Sequence, residues 1–182
     1  KEDYFYNGWN TASDGTGIAY SEAQTISITE SVTLYAQWEA LITTGVENGH
    51  GYVDLGLPSG LKWATVNVGA ESPEDYGDYF AWGETTTKST YDWDTYKWCE
   101  GDYDTQTKYC TDSYYGTLDN KTVLELADDA ANANWYSDWR MPTNAEQDEL
   151  RTECTWAWGT LNGVKGCKVT SKTNGNSIFL PA

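Results

Sequence analysis

Few side chains in this sequence carry the chemistry of catalysis. A single histidine, His50, stands between Gly49 and Gly51 near an expected strand start. Acid–base or nucleophilic chemistry needs a base aligned with a nucleophile, or a metal-activated water, and the isolated setting of His50 marks it as a loop residue rather than a base. The four cysteines fall at positions 99, 110, 154 and 167 without a CxxC pair, so with one histidine the sequence argues against a zinc site. Cys99 and Cys110 flank an acidic, Gly-containing loop that a disulfide would close in an oxidising compartment; bridged and free states are equally compatible with the sequence. Cys154 and Cys167, close to tryptophans, read as core thiols. Asp128 and Asp129 read as the solvated face of a helix, with a cation ligand as the sharper alternative. No residue pattern calls for a cofactor.

The side chains suited to recognition are aromatic. Ten Trp and fourteen Tyr against three Phe favour rings with a polar handle, which serve equally at half-buried sheet faces and at binding surfaces. Tyr91, Trp93, Tyr96 and Trp98 stand among Asp residues and suit stacking on sugar rings or filling a protein interface. Their competing fate is to fold over a sheet.

One further side chain, Arg140, is positioned by an unusually well-defined helix start. Pro142 cuts off any earlier helix, and Thr143 with Glu146 spells a capping box, which predicts a short acidic helix running to about Arg151. In the extended entry, Trp139 and Met141 point one way and Arg140 the other. The guanidinium fork suits a carboxylate such as Asp78, Glu84 or Asp128, or backbone carbonyls. Trp139, Arg140, Pro142, Thr143 and Glu146 are therefore assigned structural roles. An earlier helix is predicted over 118–134, with Thr122, Val123, Leu126, Ala130 and Ala133 on one face and Asp119 or Asn120 as its N-cap.

The remaining elements are strands. Residues 31–38 alternate with period two, after turn signals at Asn7-Gly8 and Asp14-Gly15. Residues 39–48 read as a linker or as the first edge of the next unit. A hairpin is expected from a strand starting at Gly49 and ending in a turn at Pro58 and Gly60, and a second strand over 61–68, then a buried strand or tight turn over 77–84, then a long surface excursion over 86–117. A hairpin turning at Asn162-Gly163 sets Trp158 opposite Cys167 and Trp156 opposite Val169. Cys154 and Cys167 are then offset by about 13 Å along the strands, beyond disulfide reach. A second hairpin turning at Asn174-Gly175 sets Val169 opposite Leu180 and Ser171 opposite Ile178.

A chain of 182 residues accommodates one ordinary domain plus a small module. Its net charge of -17 repels nucleic acid and anionic lipid surfaces, leaving cations, neutral glycans and proteins as partners. No apolar run approaches membrane-spanning length.

Two resemblances organise these readings. Tyr4-Phe5-Tyr6-Asn7-Gly8-Trp9 followed by Thr33-Leu34-Tyr35-Ala36-Gln37-Trp38 resembles the second half of the Listeria–Bacteroides repeat, also called the internalin B-type repeat. That likeness implies a β-grasp-like stalk module of bacterial surface proteins over 1–39. Tyr52-Val-Asp-Leu-Gly-Leu-Pro-Ser-Gly60, Trp63-Ala64-Thr65, Asn67-Val-Gly-Ala70, the run 75–84, Asp128-Asp-Ala-Ala131 and Trp139-Arg-Met-Pro-Thr143 together resemble the Fibrobacter succinogenes major paralogous domain. The segment from Trp139 is also similar to part of the formylglycine-generating enzymes, whose fold varies the C-type lectin fold. The resemblance implies an α+β domain over 49–182, with a twisted antiparallel sheet and two helices, joined through 40–48. It further implies an aromatic, Gly-rich portion beyond Ala182, so the domain is expected to be C-terminally incomplete. Gln147 departs from the Trp that relatives usually carry, and the Glu-Pro-Asn motif of calcium-dependent lectins is missing. The expected function is non-enzymatic: a cell-surface or secreted binding module for a glycan or a host or bacterial surface protein, with Tyr91, Trp93, Tyr96 and Trp98 as ligand candidates. The alternatives are a structural adhesin or fimbrial component and an enzyme related to the formylglycine generators.

Overall fold

The computed structural model describes residues 4–21, 24–136 and 138–182; positions 1–3 and 22–23 of the expected N-terminal module, and Ser137, lie outside them. Among the described residues the chain is α+β, with three small antiparallel sheets and two α-helices.

In the N-terminal sheet, β1 (Tyr4–Asn10) is flanked by β2 (Ala19–Tyr20) and β3 (Tyr35–Ala40). The strand expected over 31–38 forms only from Tyr35 and runs on to Ala40. Gly8 accommodates the irregularity in β1–β3 pairing between Tyr6 and Trp9: its φ is 86°, and a Cβ there would lie 2.4 Å from the Tyr20 carbonyl oxygen.

The second sheet joins β4 (Gly45–Glu47), β5 (His50–Asp54) and β6 (Lys62–Ala64). Asn48 and Gly49, at φ of 47° and 84°, make the turn, as a two-residue hairpin with the twist of its strands requires. Residues 45–47 are thus the first edge of this sheet. The segment 77–84 takes the turn alternative, closed by the Glu84 N–H donating to the Ala81 carbonyl at 2.9 Å.

The third sheet orders β7 (Cys154–Leu161), β8 (Val164–Ser171) and β9 (Ser177–Pro181). The β7–β8 register places Trp158 opposite Cys167 and Trp156 opposite Val169, as expected from Asn162-Gly163. All four cysteines are free thiols. The β8–β9 register differs by two residues from expectation: Val169 faces Ile178, and Cys167 faces Leu180. The cause is local turn chemistry. The Ser171 hydroxyl accepts from the N–H groups of Thr173 and Asn174, and Asn174 accepts from the Asn176 N–H. The connection is therefore a five-residue loop in which Gly175 alone takes a positive φ of 78°, rather than a two-residue turn.

The second and third sheets share a core of Val53, Leu55, Leu57, Leu150, Cys154, Val169 and Ile178. The buried Ser171 hydroxyl donates to the Leu55 carbonyl at 2.6 Å, and Asn176 donates to the Asp54 carbonyl at 2.8 Å. These bonds satisfy backbone acceptors at the end of β5 that no strand covers. The N-terminal sheet docks on the other face of the third sheet. Phe5 packs with Leu161, Phe179 and Leu41, Lys168 pairs with Glu39, and the Lys168 ammonium lies 5.1 Å from the Phe5 ring centroid.

The helices depart most from expectation. Instead of one helix over 118–134 there is a 3-10 turn, Leu126–Asp128, and a short α1 (Ala130–Trp135) whose N-cap is Asp129 rather than Asp119 or Asn120. The apolar periodicity had no surface to bury against, and Val123 and Leu126 stay exposed. Asn120 takes a positive φ of 54°, and Asp119 accepts from the N–H groups of Tyr109, Cys110 and Lys121. Helix α2 (Asn144–Glu153) starts at Thr143 with the full capping box.

Candidate functional site

Asp128 and Asp129, read as a solvated face, are buried at 4% and 2% exposure. Asp129 spends one oxygen on the Asn132 N–H as N-cap and the other on the Met141 N–H at 2.8 Å, which ties α1 to the entry of α2. Asp128 collects the ammonium groups of Lys97 and Lys108 and the hydroxyl of Tyr109. Burial opposes its ionisation, yet these donors outweigh burial and hold the carboxyl below its ordinary range. Lys108 also pairs with Glu125, which pairs with Lys121. The chemistry is a lysine–carboxylate network that orders a segment with little secondary structure. Among the described residues, no group of three or more His, Cys, Asp or Glu could hold a metal ion.

Arg140 meets the capping-box glutamate rather than Asp78, Glu84 or Asp128. Its two terminal nitrogens donate to Glu146 at 2.8 and 2.6 Å, and one also reaches the Met141 carbonyl. Glu146 simultaneously accepts from the Thr143 N–H at 2.7 Å. The Arg140 fork, then burial working in the opposite sense, then the Thr143 bonds set the Glu146 carboxyl at about 2. Because that is below the unfolded value near 4.5, the contribution is fully present above pH 4.5 and is lost as pH falls towards 2. Glu146→Gln is expected to cost about 2 kcal/mol at neutral pH and to flatten the acid limb of stability between those values, as read by urea denaturation across pH. An unchanged acid limb would contradict the assignment.

Trp139 and His50 belong to one aromatic cluster. The His50 ring stacks on Trp135 at 4.2 Å, Trp139 lies edge-on to Trp135 at 5.1 Å, and the Trp139 indole N–H donates to the Glu47 carbonyl at 2.9 Å. His50 is therefore the first residue of β5, engaged in packing against α1.

The four aromatic candidates divide. Trp98 and Tyr96 are half-buried: the Trp98 indole N–H donates to the Gly83 carbonyl, and the Tyr96 hydroxyl donates to the Trp82 carbonyl, both at 2.9 Å. The Lys97 and Lys108 ammoniums lie 4.3 and 4.7 Å from the Trp98 ring centroid. Burial, then the neighbouring Cys99 and Glu84, push the Tyr96 phenol up to about 12. These two rings hold the excursion to the 81–84 turn. Tyr91 and Trp93 remain exposed. Tyr91 bonds through its hydroxyl to the Tyr79 carbonyl, and together with Asp78, Phe80, Thr87 and Lys88 these residues line a shallow depression of about 610 Å³. Tyr79 is 68% exposed and Tyr91 46%. Sequence reading missed Tyr79 and Lys88 because the contact between 77–80 and 87–91 depends on turns without a period. The Lys88–Glu84 pair that closes this loop, at an i,i+4 spacing, was the available signal.

A 40-residue stretch of the chain is 52% identical to a "Putative Gly-rich membrane protein" of Evansella cellulosilytica; it amounts to 21% of this chain and 5% of that protein. The chain thus spans about 5% of the length of the curated relative it matches. No family model and no solved structure matches the chain. Among the described residues, no helix is long and apolar enough to cross a membrane.

Proposed function

We propose that this chain is a non-enzymatic, extracellular or cell-surface binding module of bacterial origin. In this reading a lectin-like recognition domain over 49–182, related to the Fibrobacter succinogenes major paralogous domain, follows a stalk segment over 1–39 related to the Listeria–Bacteroides repeat. The observation that carries the reading is the pair of exposed rings, Tyr79 and Tyr91, beside a shallow, largely apolar depression rimmed by Asp78, Thr87 and Lys88. Flat rings next to hydroxyl, carboxylate and ammonium groups match the alternation of C–H faces and hydroxyls on a sugar, and the net negative charge selects for neutral glycans over acidic ones. A module-sized match inside a much longer membrane protein accords with a stalk unit reused in surface proteins.

The test is an array of neutral and acidic glycans probed with the purified chain, together with adhesion to bacterial and host cells. Retention on neutral glycans is expected, abolished by Tyr79→Ala or Tyr91→Ala; retention on no glycan would overturn the reading. The docking of Phe5 on the third sheet favours a second reading, a load-bearing adhesin or fimbrial segment without its own ligand. Surface assembly that depends on the domain while ligand binding is absent would select it.

A further inference from the structure

We propose that the Lys168 and Asn7 side chains join in an intramolecular amide bond, with Glu39 carrying the protons, so that the N-terminal sheet is tied covalently to the third sheet. The three residues come from three strands. Phe5 of β1 stands directly opposite Glu39 of β3, and Asn7, two residues along, reaches back to this pair: its amide nitrogen donates to Glu39 Oε2 at 3.5 Å. Lys168 of β8 faces them from the third sheet, and its ammonium pairs with the same Oε2. One carboxylate oxygen therefore touches both the nitrogen that attacks and the nitrogen that leaves.

The surroundings favour the exchange. The Lys168 side chain is 7% exposed, its ammonium lies 5.1 Å from the Phe5 ring centroid, and the residues opposite it in the two neighbouring strands are Ala157 and Phe179. An ion pair in such a place repays little of the cost of burying its charges, whereas a neutral amide avoids that cost. Asn7 and Glu39 lie at the rim of the joint, Asn7 exposed and Glu39 39% exposed, so the departing nitrogen has water to enter. The step balances without a further reactant. Glu39 takes a proton from the Lys168 ammonium, and the freed lone pair of Nζ attacks Asn7 Cγ. The Cγ–Nδ2 bond then breaks with its electron pair going to nitrogen. Two protons pass in turn from Nζ through Glu39 to that nitrogen, which leaves as ammonium. One amide replaces another, and nothing is oxidised or reduced. The link holds the docked sheets together independently of recognition at Tyr79 and Tyr91, so either reading can fail alone.

The test is the intact mass of the full chain, held folded until its mass no longer changes and then denatured, followed by tryptic digestion and fragment sequencing. The mass is expected to fall short of the sequence mass by one ammonia molecule, with a branched peptide in which a fragment containing Lys168 is joined to one containing Asn7. Lys168→Arg, which keeps the charge, and Asn7→Ala should each show their full sequence mass, and Glu39→Gln should slow formation of the link roughly a hundredfold. The full sequence mass in the wild type would overturn the proposal. So would a deficit that persists in Lys168→Arg, since a succinimide at Asn7-Gly8 also expels ammonia. Formation at the wild-type rate in Glu39→Gln would overturn the role given to Glu39.

Discussion

Phe5→Ala is expected to lower the unfolding free energy by about 3 kcal/mol, the range for removing a buried aromatic ring. Phe5 is the anchor of the N-terminal sheet: its ring packs with Phe179 at 6.2 Å between centroids and fills the space that Gly159 leaves by having no side chain. A Cβ at Gly159 would lie 2.2 Å from the tip of that ring. Gly159→Val is therefore expected to cost about 2 kcal/mol by overpacking, and combining it with Phe5→Ala should recover part of the loss, because the two residues compete for one volume. Chemical denaturation of the two single variants and the double variant measures this. Additive losses would mean that ring and glycine do not share a site and that the joint lies elsewhere. A three-stranded sheet with a two-residue strand is marginal alone, so the docking is what makes the N-terminal sheet a folded part of the molecule.

Asp128→Ala should be of similar size, about 3 kcal/mol. It removes the more buried of the two carboxylates that Lys108 pairs with, leaving only Glu125, strips Lys97 of its partner, and leaves the Tyr109 hydroxyl without its acceptor. The loss is expected to be concentrated in the excursion. Limited proteolysis should cut within 86–117 before the rest of the chain, and Asp128→Asn should fall between wild type and Ala because it still accepts from Tyr109. A loss below about 0.5 kcal/mol, the scale of an exposed ion pair, would show that the lysines find water as readily as Asp128.

What was legible in the sequence was what local rules determine. Thr143 and Glu146 meet through bonds spanning three residues, and Asn162-Gly163 imposes both turn and register, so the α2 start and the β7–β8 pairing follow from adjacent residues. Arg140 was assigned an ion pair, but its partner lies six residues on, inside the capping box, where one carboxylate serves a backbone N–H and a guanidinium together. The β8–β9 register was missed for a local reason, the Ser171 and Asn174 turn bonds; the other errors come from burial by distant residues. Asp128 and Asp129 looked solvated because helical period was the only guide, and their cations and amide partners come from residues 97, 108 and 141. Within the aromatic stretch 91–98, whether a ring binds backbone or faces solvent depends on the 77–84 turn, which carries no periodic signature. Hence Trp98 is a prop, and Tyr79 stands beside Tyr91.

The central claim, recognition through the exposed face at Tyr79 and Tyr91, is tested most directly by calorimetric titration of a neutral oligosaccharide retained on the array. Affinity is expected to fall at least tenfold in Tyr79→Ala and Tyr91→Ala and to stay unchanged in Trp158→Ala, whose ring is also exposed but belongs to β7. Equal affinity in wild type and both tyrosine variants would contradict the account.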